Sequence, residues 1–171
     1  MDIKKILALT VIFLALFGCM SVASAGLFDF FGGESTQTYT FDGFTLDIPE
    51  SAEVSMKNLT RTTAAGYIEN YHYTVTMENG DNINVSSAKG NGVVSSVDEY
   101  VANMVTGGAS NLGTYGDWAI IKTNGIPLSV GNGITVDPDY ILVKFSGEKL
   151  ITIYGNDLDQ LKSIADTYKD A

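Results

Sequence analysis

Alternating apolar residues, broken by tight-turn dipeptides, are the feature that most limits what this chain can fold into. Runs at 39–41 and 44–48 flank Asp42-Gly43, and the long run 67–77 is followed by Asn79-Gly80 and a returning run at 82–86. Period-two alternation places one set of side chains on each face of a strand, and D-G and N-G favour hairpin turns. The pattern therefore predicts a mostly antiparallel sheet.

Further strands are predicted at 52–59, where Val54 and Met56 should point inward, and at 117–123, 140–145 and 150–154. Segment 124–139 is rich in Gly and Pro and predicts a loop. His72 falls on the side of strand 67–77 that carries Asn70 and Thr74, which we expect to face solvent. The opposite side carries a tyrosine stripe, which predicts the core side of the sheet or a flat surface for binding a ligand.

Two segments change to helical spacing. Ser96 and Glu99 form a capping box ahead of a helix that Gly107 ends, and a closing helix is predicted over 157–169 with Asn156 as its cap. The expected fold class is α+β: a mostly antiparallel sheet of about six to seven strands with one central and one C-terminal helix. The helices pack on one sheet face or one on each side.

The amino-terminal segment 1–25 is typical of a secretory signal peptide. Lys4 and Lys5 precede a charge-free apolar run at 6–17, and Ala23-Ser24-Ala25 supplies the small residues of a cleavage site. The apolar run is shorter than the ~20 residues that a spanning helix needs. We therefore expect cleavage after Ala25 and a secreted or extracytoplasmic cell-surface location.

Cys19 is the only cysteine, and it allows a second outcome for this segment. Leu16-Phe17-Gly18-Cys19 resembles a bacterial lipobox, although Phe17 stands where a small residue is usual. Release after Ala25 and lipid attachment at Cys19 are thus alternatives, and Cys19 as an ordinary apolar residue of the signal is a third. A domain released after Ala25 contains no disulfide.

Residues 26–37 predict a flexible arm that is rich in Phe and Gly, and 38–171 a single α+β domain. The arm is either a loosely ordered terminus or an apolar segment that contacts a membrane or a partner protein. The chain carries 20 acidic and 10 basic residues, for a net charge of −10. Such a surface repels phosphate backbones and anionic membranes, so nucleic acid is excluded as an expected partner.

The residue types needed for most catalytic sites are scarce. His72 is the only histidine, which excludes a metal site built on several imidazoles. The sequence has no G-x-S-x-G elbow and no phosphate-binding glycine motif. A secreted hydrolase using carboxylates or His72 remains an alternative.

Carboxylates give candidate calcium ligands at Asp137, Asp139, Asp157 and Asp159. These residues do not match the EF-hand pattern, and a helix N-terminus already explains Asp157 and Asp159. No other cofactor is expected. Asn58 and Asn84 begin N-x-S/T sequons and are candidate glycosylation sites.

The element order over 44–169 resembles the Mog1/PsbP-like class. Phe44-Thr45-Leu46-Asp47-Ile48-Pro49 matches a short F-x-x-D-I-P motif, and a central helix and a closing helix follow in the same order. The resemblance implies a small α+β sandwich that binds a partner rather than catalyses a reaction, and it implies no particular functional residues.

Three functional hypotheses follow. The first is an exported, non-catalytic domain that binds a protein or a component of the cell envelope. The second is a secreted hydrolase, and the third is a calcium-stabilised envelope module.

Overall fold

The computed structural model describes residues 35–171. The predicted signal peptide 1–25, with Cys19 and Ala25, and residues 26–34 of the predicted arm lie outside this range. The strands are β1 (Thr36–Thr40), β2 (Phe44–Pro49), β3 (Glu53–Asn58), β4 (Arg61–Thr63), β5 (Gly66–Thr76), β6 (Asn82–Lys89), β7 (Ser110–Tyr115), β8 (Trp118–Lys122), β9 (Leu128–Gly131), β10 (Ile134–Val136), β11 (Tyr140–Ser146), β12 (Lys149–Gly155) and β13 (Lys169–Asp170).

The described helices are α1 (Val97–Thr106) and α2 (Leu158–Ala165). The predicted capping box at α1 is confirmed: the backbone N–H of Glu99 donates to Ser96 Oγ, and the Glu99 carboxylate accepts from the backbone N–H of Ser95. Neither helix, nor any other within residues 35–171, is long and apolar enough to cross a bilayer.

The centre of the fold is an eight-stranded antiparallel sheet. Its order is β3-β5-β6-β12-β11-β8-β7, and β4 pairs with β5 beside β3. The sheet-rich α+β class is confirmed, but the predicted count of six to seven strands is too low. β4 has only three residues and β7 (SNLGTY) is largely exposed, so neither shows the apolar alternation that reveals a strand.

One face of this sheet is covered by α2 and by a small sheet of order β1-β2-β13. The predicted hairpin about Asp42-Gly43 joins β1 to β2, and Gly43 has φ +78°, a conformation that favours glycine. The side chains buried in this first core include Phe44, Leu46, Ile48, Val75, Leu142, Ile153 and Leu161.

The C-terminal helix is shorter than predicted. It ends at Ala165, and Lys169 and Asp170 pair with β2 as a strand. Its N-cap is Asp157 and not Asn156. Asp157 Oδ1 accepts from the backbone N–H groups of Asp159 and Gln160, whereas Asn156 Oδ1 accepts from the N–H of Asp139. The apolar spacing that continues to Tyr168 predicted a longer helix, but the chain turns after Ala165 and its backbone pairs with the edge of β2 from Lys169 instead.

The opposite face of the eight-stranded sheet is covered by α1 and the β9–β10 hairpin. This hairpin lies in segment 124–139, which the sequence predicted as loop. The second core includes Val101, Ala119, Ile121, Ile141, Val143, Leu150 and Tyr154. The helices therefore lie one on each side of the sheet, and the sheet is buried on both faces.

Burial of both faces changes the environment of β5. His72 is only 3% exposed, so the expectation that it faces solvent is wrong. On the other face of β5, Tyr73 of the tyrosine stripe is buried in the first core, which confirms that this part of the stripe lies on the core side. Tyr67, at the start of the strand, is exposed. Met56 on the edge strand β3 was predicted to point inward, but it is 53% exposed, so this expectation is wrong.

Candidate functional site

A mostly apolar cavity lies between α1, the segment before β9 and the second face of the sheet, and we call it the α1 pocket. Its volume is 410 Å³, within the range of small-molecule sites. Apolar side chains from five parts of the chain form most of its wall: Ile68, Val93, Val94, Met104, Leu128 and Leu150. The pocket can thus remove an apolar group from water.

The base of the α1 pocket is polar because β5, β6 and β12 place hydroxyl, amide and imidazole groups side by side. Ser86 Oγ and Tyr154 Oη lie 3.0 Å apart, and His72 Nδ1 lies 3.0 Å from Ser86 Oγ and 2.8 Å from Tyr154 Oη. Ser86 and Tyr154 line the pocket, whereas His72 lies behind them. All three are less than a tenth exposed, so the three side chains form a buried hydrogen-bonded triangle.

Burial disfavours the charged forms of the two titratable members of this triangle, His72 and Tyr154. It lowers the pKa of His72, and the nearby Lys57 ammonium lowers it further. Burial raises the pKa of Tyr154, and it raises the pKa of Tyr100 on α1 to about 12. Neutral imidazole has one acceptor nitrogen, and Nδ1 can accept from the Tyr154 hydroxyl, which in turn can accept from Ser86.

Asn70 supplies a hydrogen-bond acceptor with no partner. Its Nδ2 donates to the carbonyl oxygen of Val130 at 3.0 Å, but its Oδ1 is buried and has no partner among residues 35–171. Thr60 Oγ1 is the other such atom and is not part of the pocket wall. Asn70 is 6% exposed and lines the α1 pocket, so a ligand that donates a hydrogen bond would satisfy it.

Arg61 lies at the edge of the same pocket. It is the first residue of β4, which pairs with β5 opposite Ile68. Its Nη1 contacts two backbone carbonyls, those of Leu59 at 3.3 Å and Val130 at 3.4 Å. The wall is thus mostly apolar, with neutral polar groups on the sheet, α1 and β9 and one cation, Arg61.

The triangle can be compared with the catalytic groups of a serine hydrolase. The contact of Ser86 Oγ with His72 Nδ1 has the separation of a nucleophile–base pair. However, the Tyr154 hydroxyl contacts the same nitrogen at a shorter distance, and no carboxylate among residues 35–171 hydrogen-bonds to the imidazole. The groups that would orient and activate the serine are therefore occupied elsewhere or absent from the described part of the chain.

The structure does not bring the four predicted calcium ligands, Asp137, Asp139, Asp157 and Asp159, together at one site. Asp137 lines a polar hollow with Asp81 and Asn156, which joins pieces of three separate acidic segments. Asp157 instead caps α2, and Asp159 lies 3.7 Å from Lys162. Within residues 35–171, no group of three or more His, Cys, Asp or Glu side chains is placed to hold a metal ion.

The two sequon asparagines occupy different environments. Asn58 is exposed at the end of β3, and its Oδ1 accepts from the N–H of Thr60. Asn84 is half-buried in β6, between β5 and β12, and its Oδ1 accepts from Thr74. Glycosylation at either position stays a prediction.

Sequence reasoning missed every polar residue of the α1 pocket. A signal existed: Asn70, His72 and Ser86 recur at alternate positions on neighbouring strands, and Thr152 interrupts the apolar run of β12. Polar alternation alone predicts an exposed face. Only the cover provided by α1 and β9 shows that these side chains are buried.

No protein-family model and no curated protein matches this chain. The site must therefore be interpreted from its own chemistry.

Proposed function

We propose that this chain is an exported, non-catalytic domain that binds a component of the cell envelope: a small, mostly apolar ligand held in the α1 pocket. The observation that carries the proposal is the unpartnered Oδ1 of Asn70, buried in the wall of a 410 Å³ cavity. An unpaired buried acceptor costs about 1–3 kcal/mol, and a donor on a ligand would recover that cost.

The composition of the wall supports the same function. Apolar side chains form most of the wall, and polar groups from the sheet, α1 and β9 stand among them, which is the pattern of sites that bind an amphipathic molecule. The argument for export is the signal-peptide pattern of 1–25. A secreted or surface location would expose the pocket to envelope compounds.

Fluorescence of the neutral probe N-phenyl-1-naphthylamine tests this function, because its emission rises in apolar surroundings. We expect saturable binding to the purified protein and displacement by 1-decanol, which has an apolar chain and a hydroxyl donor. Val94→Trp should abolish binding, because Val94 lines the pocket and the indole fills it. Val105→Trp is the matched control, since Val105 lies on the exposed side of α1 and is 45% exposed.

Two results would contradict a binding function at this site. One is the absence of saturable probe binding to the unmodified protein. The other is equal binding by the Val94→Trp and Val105→Trp variants, which would place the probe elsewhere.

A secreted hydrolase is the second candidate, favoured by the 3.0 Å contact of Ser86 Oγ with His72 Nδ1. A fluorophosphonate probe labels an activated serine and not an ordinary one. Labelling that is lost in Ser86→Ala and retained in Ser87→Ala would establish the hydrolase. We expect no labelling of the unmodified protein.

A further inference from the structure

The charge around the α1 pocket is the reverse of the charge of the molecule. The chain carries twice as many acidic as basic residues, yet none of the described residues that line the pocket is acidic. Arg61, the only arginine of the sequence, lines its edge. A cation without local anions, in a protein of net charge −10, is a selective position for a negatively charged group.

The guanidinium of Arg61 retains most of its hydrogen-bonding capacity. Its two contacts are to neutral carbonyl oxygens, at 3.3 and 3.4 Å, and both involve Nη1. No carboxylate among residues 35–171 lies within ion-pair distance of it. A guanidinium has five N–H donors in a planar fork that matches a carboxylate, so donors remain for a ligand.

The backbone holds this guanidinium beside Asn70. The carbonyl oxygen of Val130 accepts from both Asn70 Nδ2 and Arg61 Nη1. At the next residue, Gly131, a Cβ atom would overlap Nη1 of Arg61, and the backbone has φ +121°. Glycine thus allows the guanidinium to lie against β9, where Arg61 Nη1 and Asn70 Nδ2 donate to the same carbonyl oxygen.

We infer that the ligand of the α1 pocket is an apolar carboxylate with a hydroxyl or amide N–H next to its carboxylate. The carboxylate pairs with Arg61, the neighbouring O–H or N–H donates to Asn70 Oδ1, and the apolar chain lies against Val94, Met104 and Leu128. A 3-hydroxyalkanoate and an N-acyl amino acid both carry this chemistry. The inference rests on the proposed binding function and adds the charge and head-group pattern of the ligand.

Displacement of N-phenyl-1-naphthylamine by four compounds, each below its micellar concentration, tests the inference. The compounds are 1-decanol, decanoate, 3-hydroxydecanoate and N-octanoylglycine. We expect decanoate to bind about tenfold more tightly than decanol, as one charge-assisted pair allows. 3-Hydroxydecanoate or N-octanoylglycine should bind more tightly than decanoate, and the tighter of the two identifies the source of the donor.

Arg61→Gln should remove the preference for decanoate over decanol and leave decanol affinity unchanged. Lys122→Gln is the matched control, because it removes one positive charge from an exposed position outside the pocket and should keep the preference. Added salt should weaken decanoate binding to the unmodified protein and not decanol binding. This last measurement needs no variant and holds even if Arg61→Gln fails to fold.

The outcomes separate this inference from the function on which it rests. If decanol displaces the probe but decanoate is no better, or if Arg61→Gln keeps the preference, the carboxylate assignment is wrong while the binding function stands. If neither added donor improves on decanoate, the role of Asn70 is wrong. If the probe does not bind at all, the binding function fails and this inference with it.

Discussion

Replacing His72 with glutamine should remove a specific pH dependence of stability. The imidazole is 3% exposed, and burial lowers its pKa in the folded protein, with the Lys57 charge as the second cause. In the unfolded chain it titrates near its ordinary value of about 6.5. The folded protein therefore keeps His72 neutral at pH values where the unfolded chain has already bound a proton.

The sign and the size of the effect follow from this difference in proton binding. Below about pH 6.5 the unfolded state binds more protons, so the free energy of unfolding is highest above that pH and decreases as pH falls. The loss continues until the folded protein also protonates His72. One linked proton contributes at most about 1.4 kcal/mol per pH unit.

Urea unfolding followed by the fluorescence of Trp118 between pH 8 and pH 5 measures this slope. Trp118 is the only tryptophan and is 4% exposed, so unfolding changes its environment. Subtracting the His72→Gln curve from that of the unmodified protein cancels the carboxylates that titrate in both. A difference that stays constant from pH 8 to pH 5 would refute the reasoning and show that His72 accepts its proton equally well in both states.

The remaining predictions concern single side chains, each measured by urea unfolding. Tyr154→Phe removes one hydroxyl from the buried triangle and should cost about 1 kcal/mol, because Ser86 can still bond to the imidazole. Asp157→Ala should cost about 1 kcal/mol through loss of the α2 cap, equally in calcium and in chelator; a cost that depends on calcium would favour the calcium-stabilised module. Leu142→Ala in the first core should cost about 2–5 kcal/mol, whereas Val105→Ala on the exposed side of α1 should change stability by less than about 0.5 kcal/mol.

Local patterns succeeded wherever neighbours in sequence decided the structure. The Asp42-Gly43 turn and the Ser96–Glu99 capping box depend on a few adjacent residues, and both are present as predicted. The closing helix was predicted too long because its apolar spacing continues to Tyr168, whereas Lys169 and Asp170 pair with β2, which lies far away in sequence. Local spacing alone cannot detect that competing partner.

By itself, the sequence determined the antiparallel, sheet-rich α+β class, because alternation and turn chemistry are local and periodic. Only the tertiary structure decided which polar residues are buried. Asn70 and His72 have the spacing of a solvent-facing stripe, and it is the packing of α1 and the β9–β10 hairpin over this face that buries both side chains and places Asn70 in the wall of a pocket. Arg61 joins them because Val130 and Gly131, some seventy residues later, hold its guanidinium. Whether a strand face is buried depends on what packs over it. Here the covering segments lie far away in sequence, so the residue pattern of the strand itself does not reveal them.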